Sequence, residues 1–180
     1  MNLENRLYMS IESVTVESIM TKDVKTANER QSLKAVASIM SENNIGSVVI
    51  VPEAENTPVG ILTERDIVHI AGLSEVLMLH LLARDTMSKP VITIDARSSI
   101  QDVIQSMKLN NIRRLPVVNK EGKMVGIITD KDIFRAIINS QSLVASISQN
   151  VMIEYRPMYE RLSEFMIGEM LLPGSSSNPN

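Results

Sequence analysis

Cysteine is absent from the 180 residues. That removes disulfides, thiolate nucleophiles and zinc–thiolate centres together, and it suits a reducing cytoplasm. Tryptophan is absent too, and aromatic residues are only 3% of the chain. A core must therefore come from Ile, Val, Leu, Ala and the twelve Met, whose flexible thioether chains fill irregular space. The two His residues leave little for a transition metal. No HExxH, nucleophile motif or Walker loop is present. The chain reads as a non-enzyme, with metal-assisted nucleotide hydrolysis by carboxylates as a remote alternative. Net charge is −3 with no long basic run, which argues against nucleic acid. The most apolar run, Val76 to Ala83, contains His80 and is far shorter than the roughly 20 residues of a membrane span. The start, MNLENRLYMSIES, has no apolar signal region. A soluble cytoplasmic protein without a membrane partner is expected.

What the chain does have, it has twice. VGILTERDIV, Val59 to Val68, returns as VGIITDKDIF, Val125 to Phe134. Upstream, residues 20–51 align without a gap on residues 87–118, matching Val24, Thr26, Arg30, Val36, Met40, Asn43 and Asn44 with Val91, Thr93, Arg97, Val103, Met107, Asn110 and Asn111. The first repeat is one residue longer, in the loop Pro52 to Pro58, where insertions cost little.

Each repeat predicts the order β-α-β-β-α, an α+β fold. An extended piece (Val24 to Thr26, or Val91 to Ile94) precedes a helix capped near Asn28 or Asp95. The helix has apolar residues at helical spacing: Leu33, Val36, Ala37, Met40, and Ile100, Val103, Ile104, Met107. A hairpin follows, Ser47 to Val51 with Val59 to Leu62, and Leu115 to Val118 with Val125 to Ile128. Its strands are nearly all apolar, which predicts cover on both faces. The second helix starts at the Thr and runs toward Ile70 or Ile138. A helical linker with Leu73, Val76, Leu77, Leu79 and Leu81 is expected to pack on the core. Tyr159, Leu162, Phe165, Met166 and Met170 lie on one face of a helix expected from Met158 to Leu172.

The repeated Gly-x-x-Thr-x-x-Asp has two readings. Thr63 with Asp66, and Thr129 with Asp132, would make capping boxes, the carboxylates also suiting the positive helix end. Alternatively, the helix N-termini are anion sites. Gly60 and Gly126 would then admit a ligand to the backbone, the Thr hydroxyls would donate to phosphate, and each Asp would accept from ribose hydroxyls.

The segments NNIGSVVIV with VGILTERDIV, and NNIRRLPVVNKEGKMVGIITDKDIF, resemble a tandem pair of CBS domains, the Bateman module, over about Val14 to Ile138. The resemblance implies two repeats related by a pseudo-two-fold axis and a disc-like homodimer. It implies regulatory binding of an adenosyl small molecule (AMP, ADP, ATP or S-adenosylmethionine) in clefts between repeats, with no obligatory cofactor and Mg accompanying ATP. Carried over residue by residue, one cleft holds Thr63, Arg65 and Asp66 with Val91, Ile92, Ile112, Arg113 and Arg114. The other holds Thr129, Lys131 and Asp132 with Val24, Lys25, Ile45, Gly46 and Ser47. Apolar side chains would sandwich the adenine while backbone groups read its edge. The organisation expected is an N-terminal extension (1–13), repeat one (14–72), linker helix (73–86), repeat two (87–139), C-terminal helical extension (140–172) and disordered tail (173–180).

Arg113-Arg114 stands where the first repeat has Gly46-Ser47. Guanidinium groups favour phosphate oxygens, so the Asp66 cleft is expected to take the more phosphorylated ligand. The Asp132 cleft, with Lys25, Lys131 and Arg135, would take a less charged one or stay empty. The plainer alternative makes Arg113 and Arg114 a solvated pair or a dimer contact. His69, one turn after Asp66, reads as a surface or interface residue, with reach to a phosphate as the alternative, and His80 lies in the linker. With no effector domain fused, output would pass to a separate effector protein or to assembly, and 155–172 is the candidate relay. The competing reading is a ligand-independent scaffold in which Thr63, Asp66, Thr129 and Asp132 are merely caps.

Overall fold

The computed structural model of the protein describes residues 14–139. The chain divides into a unit Val14–Ile133 and a second made of Met1–Ser13 with Phe134–Asn180. The extensions and tail expected at 1–13, 140–172 and 173–180 lie outside the described residues. The first repeat contains α1 (Val16–Ile19), β1 (Thr26–Asn28), α2 (Leu33–Glu42), β2 (Ser47–Val51), β3 (Gly60–Thr63) and α3 (Glu64–Leu73). After α4 (Glu75–His80) the order returns as α5 (Ala83–Thr86), β4 (Ile94–Asp95), α6 (Ile100–Asn110), β5 (Arg114–Val118), β6 (Met124–Thr129) and α7 (Asp130–Asn139). Two three-stranded sheets result, β1-β2-β3 and β4-β5-β6, in an α+β fold as expected. Each middle strand runs parallel to the first and antiparallel to the last.

The middle strands are covered on both faces: Val48, Val49 and Ile50, and Leu115 and Val117, are fully buried. β3 and β6 instead alternate buried with half-buried residues, so two-sided cover was over-predicted for these edge strands. Leu33, Val36 and Met40 of α2, and Ile100, Val103 and Met107 of α6, are buried, which puts methionine in both cores.

The first strands start later than expected, at Thr26 and Ile94, and the helix caps are Ser32 and Ser99 rather than Asn28 and Asp95. Ser32 Oγ accepts from Ala35 N at 3.2 Å, and Ser99 forms a capping box with Asp102. Asn28 and Asp95 serve one turn earlier, where their Oδ1 atoms accept from Arg30 N and Arg97 N, both at 2.8 Å. Such Asx turns compete with helix and explain the shift. The Arg97 side-chain hydrogen bond, more than its backbone one, holds the exposed Asp95 carboxyl at about 2. At the far helix ends, Asn44 and Asn111 both have φ of 51°. Ile45 N donates to Met40 O, and Ile112 N to Met107 O, each at 3.0 Å. The duplicated Asn pair is therefore a left-handed helix stop, a role Asn tolerates better than other side chains.

The repeats exchange their leading segments. Val16 N and Glu17 N of α1 donate to Ser98 O (3.0 Å) and Ala96 O (2.9 Å) of the second repeat. Ala83 N and Arg84 N of α5 donate to Gln31 O (2.8 Å) and Glu29 O (3.0 Å) of the first. Beyond each helix, Thr21 bridges Ile127 and Ser88 bridges Ile61. Here the glycines matter. A Cβ on Gly126 would lie 2.5 Å from Met20 Sδ, and one on Gly60 would lie 2.7 Å from Met87 Cγ. Gly60 and Gly126 thus make room for a methionine of the other repeat, which corrects the expectation that they admit a ligand.

The stretch 73–86 is not one linker helix. It holds the end of α3, then α4, then α5, the counterpart of α1. Leu81 packs on the first repeat's core, but Leu73, Val76, Leu77 and Leu79 are exposed, against expectation.

Two stability measurements check this account. In urea unfolding, Asn111→Val should lose about 1–2 kcal/mol through left-handed strain, while Asn111→Gly should lose nothing. Equal losses would contradict the helix-stop role. Gly60→Ala should cost about 1–3 kcal/mol by overpacking. Combined with Met87→Ala, it should lose at least about 0.5 kcal/mol less than the separate losses add to, since residues in contact couple. Additive losses would show that the two do not touch.

Candidate functional site

The repeated motif sits where β3 turns into α3 and β6 into α7. The backbone N and Oγ1 of Thr63 both donate to Asp66 Oδ2, at 2.8 and 2.7 Å. Those of Thr129 donate to Asp132 Oδ2, at 2.9 and 2.6 Å. In return Asp66 N and Asp132 N donate to the Thr oxygens, at 3.4 and 3.3 Å. Both capping boxes are complete. Each threonine hydroxyl is bonded to its own aspartate.

The two helix starts differ. On α7, Asp130 N donates to Arg113 O (3.0 Å) and Lys131 N to Asp130 Oδ1 (2.9 Å), so the first three N–H groups are engaged. On α3, Glu64 N donates to Gly46 O at 3.2 Å and Asp66 N to Thr63, and the N–H of Arg65 makes no hydrogen bond among the described residues. The carboxylates differ as well. Asp132 is buried, at 9% exposure, whereas Asp66 is half-buried and its hydrogen bonds use Oδ2 alone.

Across the repeats, Arg114 Nη1 donates to Gly46 O at 2.6 Å. Burial pushes the guanidinium below its usual value and repulsion from Arg113 adds to this, while Asp130, Glu64 and Asp66 pull it back; an arginine stays charged throughout. The structure therefore brings Arg114 of the second repeat within electrostatic reach of Asp66 in the first. Arg65 and Arg113 are exposed. The segments before Val24 and Val91 reach the opposite repeat's last strand through the Thr21–Ile127 and Ser88–Ile61 bridges. Val24, Lys25, Ile45, Gly46, Ser47, Val91, Ile92 and Ile112 are half-buried. Ser47 lies opposite Thr63, and Arg114 opposite Thr129, in the hairpin registers. Lys25 Nζ is turned away to Asp23, at 2.9 Å. His69 and His80 are exposed.

Sequence reasoning missed Glu64, whose Oε2 lies 3.1 Å from a Cβ placed on Gly46. It also missed Asn56. Asn56 Nδ2 donates to Met124 O (2.8 Å) and Met124 N to Asn56 O (2.7 Å), so the longer first loop grips the second repeat. A cavity of about 180 Å³ beside this grip is lined by Lys22, Val24, Thr26, Asn56 and residues 124–126. It shares Val24 with the expected second cleft but reaches neither Thr129 nor Asp132.

Among the described residues no cluster of His, Cys, Asp or Glu could hold a metal ion, and no helix is long and apolar enough to cross a membrane.

Known proteins share this arrangement. An uncharacterized protein of Methanopyrus kandleri, MK0525, is 37% identical over 139 residues, 77% of this chain and 69% of its own. The crystal structure of Hypoxic Response Protein I, with two coordinated zinc ions, matches with a TM-score of 0.58 at 31% identity, over 68% of this chain and 98% of that one. The CBS domain pair of protein MJ0100, solved with 5′-methylthioadenosine and S-adenosyl-L-methionine, matches with a TM-score of 0.62 at 30% identity, over 69% of this chain and 99% of that one. The family model for the CBS domain matches twice, at residues 16–72 and 83–139. The chain belongs to the CBS-domain family and carries its domains as a tandem pair.

Proposed function

We propose that the pair is a regulatory module that binds an adenosine-containing ligand, of the adenine nucleotide or S-adenosylmethionine class, chiefly in the cleft of Asp66. The observation that carries this is the state of the α3 start. Asp66 is half-buried and its hydrogen bonds use Oδ2 alone, and Arg114, bonded to Gly46 O, feels the carboxylates of Asp130, Glu64 and Asp66. Oδ1 would accept from ribose, the N–H of Arg65 would meet phosphate at the positive helix end, and Arg113 and Arg114 would pair with phosphate oxygens. Val91, Ile92 and Ile112 would supply apolar walls for adenine. Mg would accompany ATP. The Asp132 cleft, with Thr129, Lys131, Val24, Lys25, Ile45, Gly46 and Ser47, has its helix N–H groups engaged and would take the less charged ligand. The adenosyl compounds bound by the MJ0100 pair support the class. The module acts without turnover, and occupancy passes to an effector protein or to assembly.

Thermal shift with AMP, ADP, ATP and S-adenosylmethionine tests this. A ligand at 100 times its dissociation constant should stabilise by about 2.7 kcal/mol, and Asp66→Ala should abolish most of the shift. Arg113→Ala with Arg114→Ala should weaken ATP by about tenfold or more, since bonds to charged groups contribute about 1.5–3 kcal/mol each. Unchanged ATP affinity would remove the arginines from the site. No shift with any ligand would favour the scaffold reading, which the complete capping boxes support, because they give all four motif residues a structural task.

The partner assigned to the module is a second copy of itself. Val68 and Leu73 of α3, with Val76 and Leu79 of α4, are between 54% and 69% exposed, an apolar surface that a second copy would cover in the disc-like dimer expected above. Light scattering should show a dimer, and Val76→Asp with Leu79→Asp should give a folded monomer. An unchanged mass would move the interface elsewhere.

A further inference from the structure

We propose that Arg114 couples the two clefts, because one side chain belongs to both. The inference rests on the ligand reading above and goes beyond it. Arg114 stands in the wall assigned to the Asp66 cleft, yet its Nη1 donates at 2.6 Å to the carbonyl of Gly46, which stands in the wall assigned to the Asp132 cleft. That carbonyl also accepts from Glu64 N at 3.2 Å, so it is the point where α3, β2 and the second repeat meet. The first repeat has no matching device, since its residue at the position of Arg114 is Ser47, whose hydroxyl is too short to span the gap.

The competition is between a neutral carbonyl and a phosphate. Against phosphate the guanidinium meets an opposite charge and can bond through two N–H groups, whereas at Gly46 its acceptor is neutral and a single bond is made. A phosphorylated nucleotide in the Asp66 cleft therefore draws the guanidinium from Gly46. Two things follow at the other cleft. The Gly46 carbonyl regains acceptor capacity for an adenine amino group, and the backbone there, with no Cβ wedged against Glu64 Oε2 (3.1 Å), is released to move. Filling the Asp66 cleft thus tightens the Asp132 cleft, and by linkage the effect is reciprocal.

Calorimetric titration of the full chain with AMP tests this. The Asp132 cleft is read alone in Asp66→Ala, and with its neighbour filled in the second binding step of the unsubstituted protein. The filled-neighbour affinity should be at least about fivefold tighter, the lower end of ordinary coupling. In Arg114→Ser, compared with Arg114→Ser/Asp66→Ala, the two affinities should agree within about twofold. Arg114→Lys, whose compact ammonium lacks the guanidinium fork, should lose the coupling likewise and serves if Arg114→Ser fails to fold. A difference that persists in both variants, or no difference in the unsubstituted protein, overturns the coupling while leaving ligand binding intact. No AMP heat at either cleft overturns the ligand reading and the coupling with it.

Discussion

Everything in this module depends on a reciprocal exchange. Met20 of the first repeat rests on Gly126 of the second, and Met87 of the second rests on Gly60 of the first. Each contact needs a residue without Cβ on a buried edge-strand position, because native packing leaves no slack for a methylene. The short helices α1 and α5 then dock on the opposite repeat through backbone hydrogen bonds that would otherwise be orphaned. A repeat taken alone would lack the segment that covers its β3 or β6. The duplicated chain is therefore one cooperative object within residues 14–133, and any cleft between repeats inherits walls from both.

The same economy shapes the motif. A Thr-x-x-Asp box that starts a helix uses one carboxylate oxygen and the hydroxyl proton, and α3 and α7 both show this. The capping and binding readings are not exclusive, since a carboxylate has two oxygens and about four acceptor sites. What separates the two ends is the surroundings. Asp132 is nearly closed from solvent, and its helix start is internally satisfied. Asp66 lies more open, within the electrostatic reach of an arginine from the other repeat. Identical words in the sequence have acquired unequal chemistry from what packs against them.

Legibility followed the range of the interaction. The repeat, the strand order and the capping boxes are local and periodic, so Thr63 with Asp66 and Thr129 with Asp132 could be read directly. The Asn43-Asn44 and Asn110-Asn111 pairs were visible as matches, but their meaning needed the φ of 51° at Asn44 and Asn111. The glycines misled. Close backbone approach was inferred correctly, but a methionine of the other repeat, not a ligand, makes the approach. A side chain's partner from the other half of the chain leaves no spacing signal. The linker misled for a related reason: Val76, Leu77 and Leu79 are apolar at helical spacing, yet they face outward, and periodicity reports an apolar face without saying what covers it.

The departures from symmetry form a pattern of their own. A perfect duplication would give two equal clefts and two equal methionine seats. In this chain the distinctive bonds run across the pseudo-symmetry, from Asn56 to Met124, from Lys123 to Thr57 and Glu55, and from Arg114 to Gly46. Asn56, in the longer loop, bonds Met124, two positions before the Gly126 seat, and among the described residues the Gly60 seat has no matching grip. Within each repeat the strand registers, helix stops and caps remain matched. Change concentrated at the crossings alters how one half responds to the other without disturbing either core. On the proposed ligand reading, a pair built like this would report which cleft is filled, and not merely that one is.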